Sequence, residues 1–113
     1  MHMKIRKSRV NEAVLANLHQ EQAAKHLCAL QRAMQTTDMV TRYQPPETSV
    51  PKLDVTNPAS SRLSETIYAA PRQRGGAQTE WWFWWSWGDR ICVVEQLDEA
   101  SRRIASLLRG TSS

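Results

Sequence analysis

The chain has 113 residues, enough for one domain, and its 15 Lys and Arg against 11 Asp and Glu leave a formal charge of +4. Lys4, Arg6, Lys7 and Arg9 account for that whole excess. The body of the chain is therefore neutral, which argues against a dedicated nucleic-acid binder with charge spread along a face. Two distant cysteines, Cys28 and Cys92, exclude a disulfide-stapled scaffold and point to buried thiols in a reducing, cytoplasmic setting. No apolar run is long enough for a signal-peptide core or a membrane span, so no membrane association is expected.

Residues 8–36 contain no Gly or Pro and are rich in Ala, Leu, Gln, Glu and Lys, which predicts a long helix behind a short basic tail. At 100° per residue, Val10, Val14, Leu15 and Leu18 fall on one side, whereas Ala23, Leu27, Leu30 and Met34 fall almost opposite. No breaker separates the two stripes, so a single helix serving two surfaces is expected, with a second copy of the chain as the simplest partner. His19 and His26 share a face but stand ~10 Å apart at a 1.5 Å rise per residue, too far to bind one metal ion.

Pro45, Pro46, Pro51 and Pro58, set among Thr, Ser and Asn, give residues 41–63 the composition of an extended linker. Asn57 followed by Pro58 suggests a short capped helix through Leu63.

Order is expected to resume in a strand at Thr66–Ala70, ended by Pro71. A loop then leads into the run from Trp81 to Trp87, which holds all five tryptophans and the only phenylalanine. Aromatic residues favour strands, and Gly88 with Asp89 reads as a two-residue hairpin turn into a third strand over Ile91–Val94. That turn sets a register of Trp87 with Arg90, Trp85 with Cys92 and Trp84 with Val93. Trp82 and Trp84 then share a face with Ile91 and Val93, while Trp81, Phe83, Trp85 and Trp87 share the other with Arg90, Cys92 and Val94. The last element, from about Leu97 to Arg109, is an amphipathic helix whose stripe is Leu97, Ala100, Ile104, Leu107 and Leu108, with Asp98 and Glu99 in its first turn.

The predicted fold class is therefore α+β: a long N-terminal helix, a three-stranded antiparallel meander and a C-terminal amphipathic helix. Residues 1–40 form the tail and helix, 41–63 the linker, and 64–110 the meander with its helix. The Trp82 and Trp84 face is expected to meet the C-terminal helix. The opposite face, with Arg90 lying over Trp87, is left for the N-terminal helix or a partner.

Glu80 to Arg90, Ile91, and then Ala100, Arg103, Ile104 and Leu108 resemble small uncharacterised actinobacterial proteins in which a Trp-rich strand and hairpin precede a short amphipathic helix. The resemblance covers the last third of the chain. It implies strand, turn, strand and helix there, and no activity.

No phosphate-binding glycine loop, nucleophile elbow or metal-ligand spacing is present, so a non-enzymatic protein without metal or cofactor is expected. The leading expectation is a protein-interaction or regulatory module that binds a protein partner or a second copy. Its surfaces would be the long helix, through Leu27, Leu30 and Met34, and the aromatic face of Trp81, Phe83, Trp85, Trp87 and Arg90. The alternative is single-stranded nucleic-acid binding, with bases stacked on exposed tryptophans and phosphates held by Lys4, Arg6, Lys7 and Arg9.

Overall fold

The computed structural model describes residues 2–46, 50–74 and 78–110. Helix α1 spans His2–Met34, β1 Val40–Gln44, β2 Lys52–Asn57, β3 Ser60–Arg74, β4 Gln78–Trp85, β5 Arg90–Val93 and α2 Leu97–Leu108. The strands form one five-stranded sheet in the order β1-β2-β3-β4-β5, with every neighbouring pair antiparallel. The architecture is α+β with a helix at each end of the sequence, and the sheet has two more strands than the expected three.

Those two strands come from the stretch read as a linker. Its prolines flank strands: Pro45 and Pro46 follow β1, Pro51 precedes β2, and Pro58 lies in the turn before β3. Leu53 and Val55 are fully buried while Lys52, Asp54 and Thr56 are only half-buried, the period-two pattern of a strand with one covered face. Asn57 and Pro58 do not start a helix. The Asn57 side chain accepts the Ala59 N–H at 2.9 Å and so shapes the hairpin turn from β2 to β3. Pro71 does not end β3 either. β2 pairs with β3 only as far as Leu53 opposite Ile67, so residue 71 has only Trp81 of β4 as a neighbour, a position where proline is tolerated.

α1 is one unbroken helix of 33 residues, ~50 Å long at 1.5 Å per residue. The basic stretch near its start is thus helical backbone rather than a tail; the side chains of Lys4, Arg6, Lys7 and Arg9, and of Val10, Val14 and Leu15, lie outside the described residues. The second stripe packs within the chain itself, with Ala23, Leu27, Leu30 and Met34 all buried in the core. Leu18, from the first stripe, is exposed.

Both helices lie on the same side of the sheet. α1 contacts β1, β2, β3 and α2, and α2 contacts β2, β3 and β5. Between them and the sheet sit Leu53, Val55, Ile67, Ala69, Phe83, Ile91 and Cys92, joined by Ala100, Ile104, Ala105 and Leu108 of α2. Leu107, expected in the α2 stripe, instead faces outward. Asn57 Nδ2 donates to the Leu108 carbonyl at 2.8 Å, satisfying one of the helix's terminal acceptors and tying its end to β2. No described helix is long and apolar enough to cross a membrane.

Candidate functional site

The β4–β5 hairpin decides which tryptophans are covered. Trp85 N–H donates to the Asp89 carbonyl at 2.8 Å, and Gly88 N–H donates to the Trp85 carbonyl at 3.0 Å. These two bonds define a three-residue loop of Ser86, Trp87 and Gly88, in place of the expected two-residue turn at Gly88 and Asp89. Gly88 takes φ +101°, the left-handed conformation that such a loop needs at its third residue. The longer loop and an irregularity between Phe83 and Trp84 reset the register to Trp84 opposite Arg90, Phe83 opposite Cys92 and Trp82 opposite Val93. Ile91 is the extra residue of this bulge, and it is buried.

The C-terminal helix therefore lies on the face opposite to the expected one, whereas the N-terminal helix lies over the Phe83 face as expected. Phe83, with Trp81 and Trp85 at its flanks, lies on the helix-covered face, pairing across β3 with Ala69, Pro71 and Ile67. His19 and His26 of α1 flank Trp81, with ring centroids 6.0 and 5.2 Å away. Burial holds His26 below the ordinary histidine range, against the opposing pull of Glu95. Trp82 and Trp84 occupy the other face, which neither helix covers among the described residues.

That open face is built from alternate residues of every strand. In register across it run Arg42, Asp54 and Thr66; then Tyr68, Trp84 and Arg90; then Ala70, Trp82 and Val93; and Arg72 lies opposite Glu80. Tyr68, Trp82 and Trp84 are half-buried although no other element covers them among the described residues. The Trp84 indole N–H donates to the Ala70 carbonyl at 3.2 Å, which draws the ring down over β3. Trp82 donates to Glu80 Oε1 at 3.3 Å, and the Arg90 guanidinium sits 5.0 Å from its ring centre. Asp54 accepts from the Gln44 amide and, at 2.8 Å, from the Thr66 hydroxyl, so its carboxylate is engaged within the sheet. Arg42, Lys52, Arg72 and Arg90 make no ion pair with a carboxylate among the described residues.

A second candidate lies at the edge of the covered face. Trp87 stacks on Trp85 at 4.9 Å with the rings 6° from parallel, and a groove of about 430 Å³ runs from Trp85 along the outer side of α2 between Arg102, Arg103 and Leu107. Trp87 is 52% exposed and Leu107 41%. Both arginines of this groove are spent on Glu99, at 2.5 and 2.6 Å, and Arg103 also donates to the Ile91 carbonyl. Arg103 thus ties the helix to β5, and Arg102 is paired within the helix, rather than either standing free for a ligand.

Of the residues expected to bind a partner, Phe83, Leu27, Leu30 and Met34 have no exposed surface, and Trp81 and Trp85 pack against the same core. Trp87 is exposed at the hairpin tip, and Arg90 has moved to the opposite face, over Trp82 rather than Trp87. The residues missed are Tyr68, Arg42 and Arg72. Their signal was present in the alternation of Arg42 with Tyr43 and of Thr66 with Ile67, which places polar and aromatic groups opposite the aliphatic side of β1, β2 and β3.

No group of three His, Cys, Asp or Glu able to hold a metal ion occurs among the described residues. Comparison with protein-family models, with curated proteins and with solved structures finds no match.

Proposed function

We propose that this protein is a small non-enzymatic interaction module whose binding surface is the open face of its sheet. One observation carries the reading: the chain places both helices on the Phe83 side and, among the described residues, leaves Tyr68, Trp82 and Trp84 without a covering element. A sheet face bearing two tryptophans and a tyrosine is costly to leave in water, and contiguous aromatic patches of this kind mark binding sites. Its composition of Trp, Tyr and Arg is that of the residues which dominate binding energy at interfaces.

Oxidative footprinting of the full chain in cell extract, read at each tryptophan, tests this. Trp82 and Trp84 should be protected in extract relative to buffer, while Trp87 stays reactive. Protection confined to Trp87, with Trp82 and Trp84 unchanged, would move the binding surface to the α2 groove and refute the proposal.

A further inference from the structure

We infer that the open face, taken as the binding surface proposed above, receives single-stranded nucleic acid. The neutral net charge of the chain beyond residue 9 conceals an uneven layout. On α2 and at its C-cap the arginines are paired, Arg102 and Arg103 with Glu99 and Arg109 with Asp38. Among the described residues of the open face, the four cations Arg42, Lys52, Arg72 and Arg90 outnumber the two carboxylates Asp54 and Glu80, whose hydrogen bonds to Gln44, Thr66 and the Trp82 indole come from neutral donors and leave their charge in place. Positive charge is therefore concentrated on the same surface as the uncovered rings.

The arrangement matches what a single strand offers. Unstacked bases need flat aromatic partners, and the Trp84 ring is drawn down on the sheet by its bond to Ala70. Phosphates between the bases need cations beside those rings. Arg90 lies next to Trp82, Arg72 extends from β3 beyond the end of β2, and Arg42 and Lys52 stand on the far strands. Stacking accepts any base, so binding should show little sequence preference. A duplex keeps its bases stacked on one another and offers this platform only phosphates.

Fluorescence anisotropy of the full chain with labelled oligo(dT) and oligo(U) of about 12 nucleotides provides the test. Three or four phosphate contacts should weaken affinity about 20- to 50-fold between about 50 and 200 mM salt. Trp84→Ala should weaken it about 5- to 150-fold, the range for loss of one stacking ring. Arg42→Ala with Arg72→Ala, both at exposed positions, should flatten the slope of log affinity against log salt by about 1.4 with the fold intact by circular dichroism. Replacing Lys4, Arg6, Lys7 and Arg9 by Ala should leave most of the Trp84 effect in place.

Absence of binding at low salt would overturn the inference, as would binding that depends on Lys4 to Arg9 and ignores Trp84. Footprint protection of Trp82 and Trp84 that survives nuclease and is lost with protease would also overturn it, while leaving the face as a protein-binding surface. Loss of all protection at Trp82 and Trp84 would remove both readings.

Discussion

Phe83 and Trp84 are chain neighbours on opposite faces of β4, and their surroundings set different costs for removing them. Phe83 is wholly buried among Ala69, Cys92 and the aliphatic residues of α1 and α2. Phe83→Ala leaves a cavity there and should cost ~3–5 kcal/mol in urea unfolding. Trp84 is only half-buried, so Trp84→Ala should cost no more than ~2 kcal/mol, chiefly from lost area and the lost bond to Ala70. Equal losses from the two variants would mean that the Trp84 face is covered after all. Ser101 presents the reverse case, since its hydroxyl is buried in α2 without a hydrogen-bond partner among the described residues. Ser101→Ala should be neutral or stabilise by up to ~1 kcal/mol, because an unmet buried hydroxyl is removed. His26 adds a pH dependence whose sign follows from burial. Its folded pKa lies below the unfolded value of 6.5, so the unfolded chain binds the proton first as pH falls. Stability is full above about pH 6.5 and declines below it. The lowered carboxyls of Asp38 and Glu99 lose their contribution only at more acidic pH, so they do not obscure this window. The urea midpoint should fall between about pH 7.5 and 5.5, and His26→Gln should flatten that fall.

The hairpin between β4 and β5 illustrates how one loop residue redirects an element. A two-residue turn and a three-residue loop are both compatible with Ser86, Trp87, Gly88 and Asp89, and the choice moves every partner of Trp84. Gly88 holds the longer loop at φ +101° with open space around its α-carbon, so Gly88→Ala meets no clash and should cost ~1–2 kcal/mol from backbone strain alone. A loss of less than a few tenths by urea unfolding would show that the left-handed residue is not required. α1, β4, β5 and α2 were legible in the sequence because each carries a long periodic or aromatic signal of its own. β1 and β2 were not, because strands of five and six residues bounded by prolines have the composition of a linker. Their alternation of Leu53 and Val55 with Asp54 and Thr56 becomes informative only once β3 supplies a partner. The candidate face was misread for the same reason. Both sides of β4 are apolar, so β4 alone does not say which side the helices take. The neighbours decide it: Leu53, Val55, Ile67 and Ala69 extend the Phe83 side into a core, whereas Arg42, Asp54 and Thr66 extend the Trp84 side into water.

At the scale of the whole molecule, the core joins parts that are far apart in sequence. Leu27, Leu30 and Met34 of α1 and Leu53 and Val55 of β2 bury against Phe83 and Ile104. A fragment of residues 64–113 lacks the first five of these and exposes the Phe83 face, so it should remain unfolded by circular dichroism where the full chain is folded. A fragment that folded cooperatively alone would show that α1 and β2 are accessory. With both helices on one side, the molecule presents one aromatic, cation-bearing face and one helical face, and the proposed function rests on that asymmetry. The most direct test uses the five tryptophan indole N–H signals in nitrogen-15 NMR of the full chain, titrated with oligo(dT). Trp82 and Trp84 should shift and broaden together while Trp81 and Trp85, beneath the helices, stay in place. Shifts confined to Trp85 and Trp87, or no change at any of the five, would contradict the account.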